Sequence, residues 1–124
     1  MLFLSLYTPA VPHRGPPSAE HMAAMMSLIE EMSGTGVLVT TGGILSRETG
    51  MKVIRKDGNY SVENGPVAGS SLMPAGGYAL LRVGSREELV KHIKRFLDVA
   101  GEGSTEIIQV MDGPPKEVSS EIVK

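Results

Sequence analysis

The order of sequence patterns in this chain of 124 residues predicts an α+β fold, with two helices on one face of an antiparallel sheet. Two segments repeat apolar residues at the i, i+3, i+4 spacing of an amphipathic helix, and each lies between segments typical of short strands. A hairpin signal separates the two β–α–β units. The resulting order is that of a ferredoxin-like βαββαβ fold with an extra hairpin strand.

The first β–α–β unit opens the chain. Residues 1–7 are apolar at nearly every position, which is typical of a strand buried on both faces. Residues 8–17 contain four prolines, which exclude a helix or an internal strand. Ser18 is a suitable N-cap for a helix over residues 19–33, whose methionines recur at helical spacing. Residues 37–45 then form the second strand.

The middle of the chain predicts a hairpin. Asp57-Gly58 is a strong hairpin signal, because both central residues of a type I′ turn need a positive φ. It joins strand residues 51–56 to strand residues 59–63. A loop over residues 64–76 then leads to the next apolar strand, residues 78–83.

The second helix carries sequence signals at both ends. Ser85 and Glu88 have the spacing of a capping box, and Gly101 is a typical C-terminal stop. The apolar residues between them form one stripe. His92 has basic neighbours, so we expect it on the solvated face of this helix. Residues 106–111 form the last strand.

Composition limits the class of protein. The length fits one domain over residues 1–111, followed by a tail over residues 112–124. Fourteen acidic and twelve basic side chains give a net charge of −2, so we expect neither nucleic acid nor a membrane as partner. The apolar start of the chain is too short for a signal sequence or a membrane span. We therefore expect a cytoplasmic protein.

The sheet face away from the helices is expected to form both a subunit interface and a ligand site. We expect Leu2, Leu4 and Leu6 to face the helices, which leaves the opposite face apolar with a few polar groups. Such a face predicts a homodimer with a small-molecule cleft between its two sheets. We expect Arg82 on that face to contact a ligand. The alternatives are that it pairs with an acidic residue across the dimer or faces solvent. The polar groups available to a ligand there are Ser5, Tyr7, Tyr78, Arg82 and Gln109.

Several motifs follow one another in a characteristic order. Glu63-Asn64-Gly65-Pro66 runs into Gly76-Gly77-Tyr78-Ala79-Leu80-Leu81, and Ser85-Arg86-Glu87-Glu88-Leu89 opens the second helix. In this order the chain resembles the YCII-related, DGPF-domain family of dimeric α/β-barrel proteins up to Met111. The resemblance implies a ferredoxin-like fold, a homodimer and a cleft of unassigned function. Some relatives are proposed to be enzymes that use a His–Asp pair, and others are regulators associated with sigma factors.

The chain departs from that family at its defining motif. Asn64-Gly65-Pro66-Val67 stands where the family has Asp-Gly-Pro-Phe. An asparagine donates and accepts hydrogen bonds but is not a general acid or base near neutral pH. We therefore expect Asn64, with Gly65 and Pro66 fixing its backbone, to hydrogen-bond a ligand. The alternative is a turn residue that bonds its own backbone.

His13 and His21 are the candidates for a catalytic base. His13 lies in the proline-rich loop and His21 in the first turn of the first helix, so either one can reach the rim of a cleft. The alternative is that both are exposed residues without a role. The three histidines of the chain are too scattered for a metal site, and Gly42-Gly43 is not part of a phosphate-binding motif. No cofactor is expected.

These patterns support two functions from different classes. The first is a small-molecule-binding or regulatory homodimer without catalysis, which the missing carboxylate favours. The second is a cofactor-free enzyme that acts on a small organic substrate, with His13 or His21 as base and Asn64 orienting. A third possibility is that the tail is an interaction arm and the cleft is only a seam between subunits.

Overall fold

A computed structural model of the chain describes residues 1–11, 17–45, 49–65 and 76–113. The predicted order of elements is confirmed. The helices and strands are β1 (Leu2–Pro9), α1 (Ala19–Gly34), β2 (Leu38–Ile44), β3 (Met51–Lys56), β4 (Asn59–Asn64), β5 (Gly76–Arg82), α2 (Arg86–Ala100) and β6 (Gly103–Val110).

Four strands form one sheet in the order β2-β5-β1-β6, and every neighbouring pair is antiparallel. The two outer strands therefore belong to different β–α–β units, and each central strand lies between the two strands of the other unit. This is the ferredoxin-like arrangement that the element order predicts. Within the described residues, strands β3 and β4 pair only with each other, in a separate two-stranded sheet.

The orientation of β1 is opposite to the one expected from the sequence. Phe3, Ser5 and Tyr7 face the helices, with exposed fractions of 0%, 3% and 6%. The leucines at alternate positions of β1 therefore lie on the other side of the sheet, which we call the open face. The buried core contains Phe3, Leu28, Met32, Val37, Leu38, Leu81, Val83 and Leu89.

Both helices begin at the predicted serine caps. The hydroxyl of Ser18 accepts a hydrogen bond from the amide of His21 at 3.1 Å. The hydroxyl of Ser85 accepts one from the amide of Glu88 at 3.1 Å, and the Glu88 carboxylate accepts one from the amide of Gly84 at 2.7 Å. The carboxylate thus reaches one residue further back than a standard capping box, and it is held on the first turn of α2.

The hairpin has the predicted turn. Asp57 has a φ of 52° and Gly58 a φ of 80°, as a type I′ turn requires. Every side chain of β4 is exposed, including Tyr60, whose ring lies 5.9 Å from the guanidinium of Arg55.

The first residues of the predicted tail are anchored to the sheet. The guanidinium of Arg82 donates to both carboxylate oxygens of Asp112, at 3.1 and 2.7 Å. This bond raises the pKa of Arg82 and lowers the pKa of Asp112. Residues 114–124 lie outside the described residues. In the described part of the chain, neither helix is long and apolar enough to cross a membrane.

Candidate functional site: a cavity between the helices and the sheet

A cavity of about 380 Å³ lies between the two helices and the sheet face that they cover. Met25, Leu28 and Ile29 line it from α1, and Ile93 and Phe96 line it from α2. The walls are thus mostly apolar. This volume falls in the range of small-molecule pockets, which usually combine apolar walls with a few polar groups.

Glycines from β2 and β5 line one end of the cavity. The backbone of β5 runs close to β1 here, because a Cβ atom at Gly76 would collide with the carbonyl oxygen of Tyr7. Gly42, Gly43 and Gly77 also line the cavity, and they have no side chains that would fill it. The end of β2 and the start of β5 therefore border the cavity with backbone alone.

Tyr7 lines the cavity from β1 and is fixed in place. Its hydroxyl donates to the carbonyl oxygens of Gly101 and Glu102, each at 3.3 Å. The edge of its ring contacts Phe96 with a centroid separation of 5.2 Å. Burial raises the pKa of Tyr7, and the nearby charge of Glu102 raises it further. Tyr7 is therefore a neutral phenol at physiological pH.

Two hydroxyl groups of the cavity wall already have partners within the chain. The hydroxyl of Ser5 shares a short hydrogen bond with that of Thr105. Thr41 donates to the carbonyl oxygen of Tyr78 at 2.8 Å. Because these bonds are made by the protein itself, neither hydroxyl depends on a ligand for a partner.

Both histidines in the described part of the chain line the cavity. His21, a predicted candidate, lies in the first turn of α1. His92 also lines it, so the expectation of a solvated position is wrong. The Nε2 atom of His92 lies 3.6 Å from a carboxylate oxygen of Glu88, and its side chain is 21% exposed. Its Nδ1 atom is buried and has no hydrogen-bond partner among the described residues.

The position of His92 on the apolar stripe is the sequence signal for its burial. It follows Leu89 by three residues and precedes Phe96 by four, so all three share one face of α2. The basic residues at positions 91, 94 and 95 concealed this spacing. Charged neighbours along a helix say little about a given residue, because adjacent residues point in different directions.

The other predicted ligand-binding residues lie in several places. Tyr78 contributes to the cavity wall, but its ring lies over Gly42 on the open face. Arg82 is on the open face with Asp112. Asn64 is exposed at the end of β4, and Gly65 next to it donates to the carbonyl oxygen of Gly50 at 2.9 Å. His13 and Pro66 lie outside the described residues, so their roles stay predictions.

The described residues contain no group of three or more side chains suited to hold a metal ion. The ionisable side chains that line the cavity include those of His21, His92 and Tyr7. Imidazole accepts or donates a proton near neutral pH. Both histidines face a largely apolar space that excludes water once it is filled.

No protein-family model and no curated protein sequence matches the chain. Among solved structures, its fold is similar to that of 5-chloro-2-hydroxyhydroquinone dehydrochlorinase from Burkholderia phenoliruptrix AC1100, in a complex with 2,5-dihydroxybenzoquinone. The similarity has a TM-score of 0.50 at 16% sequence identity, and it covers 91% of this chain and 96% of that one. At this identity the similarity supports the ferredoxin-like fold and identifies no activity.

Proposed function

We propose that this protein is a cytoplasmic homodimer that binds one small organic molecule per chain in the cavity between its helices and its sheet. The observation that carries the proposal is the cavity itself, because its volume of about 380 Å³ and its mostly apolar lining are typical of a small-molecule pocket. The proposed site lies within one chain, whereas the sequence suggested a cleft between two sheets.

The lining indicates the chemistry of the ligand. Phe96 and Tyr7 provide aromatic surface, and the flexible side chain of Met25 adapts its conformation to a bound ligand. Among the described lining residues, His92 has a ring nitrogen without a hydrogen-bond partner, and His21 provides a second imidazole. A single-ring compound with one or two polar substituents fits this combination. The ligand named for the structurally similar dehydrochlorinase is of that size.

The open face supports the homodimer. Leu4 pairs with both Leu80 and Ile108 across the sheet, so these side chains form one apolar strip. Ile108 is 43% exposed in the single chain. Contiguous apolar surface of this kind marks an interface, and a second copy offers a self-complementary partner about a two-fold axis.

The proposal keeps the resemblance to the YCII-related family as a hypothesis. In this proposal Asn64, Gly65 and Pro66 keep the role that the resemblance predicts, which is to contact the polar end of the ligand. Arg82 is reassigned, since its guanidinium is held by Asp112 at the edge of the open face. Tyr7 contributes its ring to the wall.

The second candidate function is a cofactor-free enzyme. The observation that favours it is that His21 lines the cavity, where an imidazole can act as a base on a bound substrate. His13 is the alternative base, with Asn64 orienting the substrate. Restoring the family carboxylate by Asn64→Asp should raise any activity of this kind, and an unchanged rate would count against a catalytic role for this loop.

Blocking the cavity tests the proposed binding. Met25 lines the cavity, whereas Met26 on the same helix is 54% exposed. We expect para-nitroanisole, measured by equilibrium dialysis, to bind wild type and the Met26→Trp control equally. Met25→Trp should weaken binding at least tenfold, which is about 1.4 kcal/mol. Equal binding to all three proteins would exclude the cavity as the site.

A further inference from the structure

His92 has the arrangement of a proton acceptor whose partner is missing. One ring nitrogen, Nε2, lies 3.6 Å from the carboxylate of Glu88, and the other, Nδ1, is buried without a hydrogen-bond partner among the described residues. A buried polar atom without a partner costs free energy, and an apolar wall offers it no compensation. A ligand that supplies a donor at Nδ1 removes this cost.

Glu88 is fixed in position by the fold. One of its oxygens accepts the amide of Gly84 at 2.7 Å, while the other lies near His92. The capping bond holds the carboxylate near Nε2 of His92. There the negative charge of Glu88 favours the tautomer that carries its proton on Nε2. In that tautomer Nδ1 carries the lone pair. Glu88 also stabilises the imidazolium if Nδ1 gains a proton.

The other charged groups around His92 leave Glu88 as its main counter-ion. Glu31 on α1 is close enough for His92 to lower the pKa of its carboxyl, but that carboxylate is bound by Arg95. On the sheet side, the described ionisable side chain that faces the cavity is the phenol of Tyr7, since the ring of Tyr78 lies on the open face.

We infer that His92 binds the acidic hydroxyl of a phenol or enol ligand and takes its proton at Nδ1, with Glu88 as the positioning residue. This inference rests on the proposed binding function and specifies its ligand class. The O–H bond of the ligand breaks and its electron pair stays on oxygen. The Nδ1–H bond forms, and the bound state is an anionic ligand beside an imidazolium that Glu88 stabilises. Aromatic walls and a proton acceptor together match a hydroxylated ring.

The test uses para-nitrophenol, whose phenolate absorbs visible light, and para-nitroanisole, which has no acidic proton. We expect wild type, at a pH just below the pKa of the free phenol, to bind para-nitrophenol with a phenolate spectrum and about tenfold tighter than the anisole. His92→Gln keeps an amide near Glu88 but places nothing at Nδ1. It should lose both the phenolate spectrum and the preference.

Three further variants separate proton transfer from structural effects. His92→Asn places an acceptor near the position of Nδ1, so it should bind the phenol without ionising it. Glu88→Gln keeps the capping bond and should weaken the phenolate spectrum. Glu87→Gln is the matched control, because it neutralises an exposed carboxylate in the same turn of α2 and should leave the spectrum intact.

The outcomes separate the role of His92 from the proposed binding function. Binding of both probes without a phenolate spectrum in wild type would overturn the role of His92 and leave the proposed function standing. A phenolate spectrum that persists in His92→Gln, or is lost equally in Glu87→Gln, would also overturn it. Failure of both probes to bind would overturn the proposed function and this inference together.

Discussion

The orientation of β1 decides which side chains meet the cavity, and substitution at Phe3 tests it. Phe3 is fully buried among the core residues of both helices, and the guanidinium of Arg86 lies 6.0 Å from its ring. Phe3→Ala should cost about 3–5 kcal/mol, since buried phenylalanines truncated to alanine leave a cavity as well as losing apolar contact.

That cost is a large share of the total stability. A chain of this length has an unfolding free energy of about 6–19 kcal/mol. At roughly 3–5 °C per kcal/mol for this size, Phe3→Ala should lower Tm by about 10–20 °C. Thermal unfolding followed by circular dichroism measures this directly.

The comparison variant is Leu4→Ala on the open face. Leu4 is half-buried in the single chain, so its truncation should cost about half of a full leucine deletion, roughly 1–2 kcal/mol. Both variants are best measured in an Ile108→Glu background, so that dissociation of a dimer does not contribute. A Leu4→Ala cost equal to or larger than that of Phe3→Ala would refute the orientation of β1 described above.

Three further predictions concern the interface, the phenol and the helix cap. Ile108→Glu should shift the protein from dimer to monomer in sedimentation velocity, while Val90→Glu, at a similarly exposed position on α2, should not. A dimer that survives Ile108→Glu would place the interface elsewhere. The raised pKa of Tyr7 means that the unfolded state loses its proton first, so stability should fall as pH rises above 10.0. Urea unfolding on both sides of that pH should show a smaller fall in Tyr7→Phe, and an identical fall would exclude Tyr7 as the cause. Ser85→Ala should cost about 1 kcal/mol through loss of the α2 cap, and an unchanged urea midpoint would contradict the capping role.

The local signals in the sequence were sufficient for the order of elements. Asp57-Gly58 specified the turn of the hairpin, and Ser18 and Ser85 specified the starts of both helices. These signals depend on neighbours a few residues away, through backbone conformation and capping hydrogen bonds. They are therefore visible without knowledge of the tertiary structure.

The orientation of the first strand was not visible in the same way. Period-two alternation reports which residues share a face, but residues 2–7 are apolar on both faces, so it does not report which face meets the helices. Phe3 and Tyr7 are buried because their rings fill the space beside Phe96 and the core of α1. Which face of β1 meets the helices therefore depends on the volume available in the packed structure.

The candidate site was recovered in part. His21 and Tyr7 do line a cavity, but the cavity is on the helix side of the sheet, because the reversed orientation of β1 carries Tyr7 there. His92 was missed because its charged neighbours were weighed above its spacing from Leu89 and Phe96. The pairing of Arg82 with Asp112 joins residues thirty positions apart, and a local sequence pattern does not predict such a contact.

Native mass spectrometry of gently purified protein tests the central claim most directly, because it reports subunit number and bound mass together. The account predicts a dimer that carries one discrete small-molecule mass per chain, and that mass should be absent from the Met25→Trp variant and present in Met26→Trp. A bare monomer would contradict both halves of the proposal. A dimer whose added mass is the same in Met25→Trp would contradict the assignment of the cavity as the ligand site.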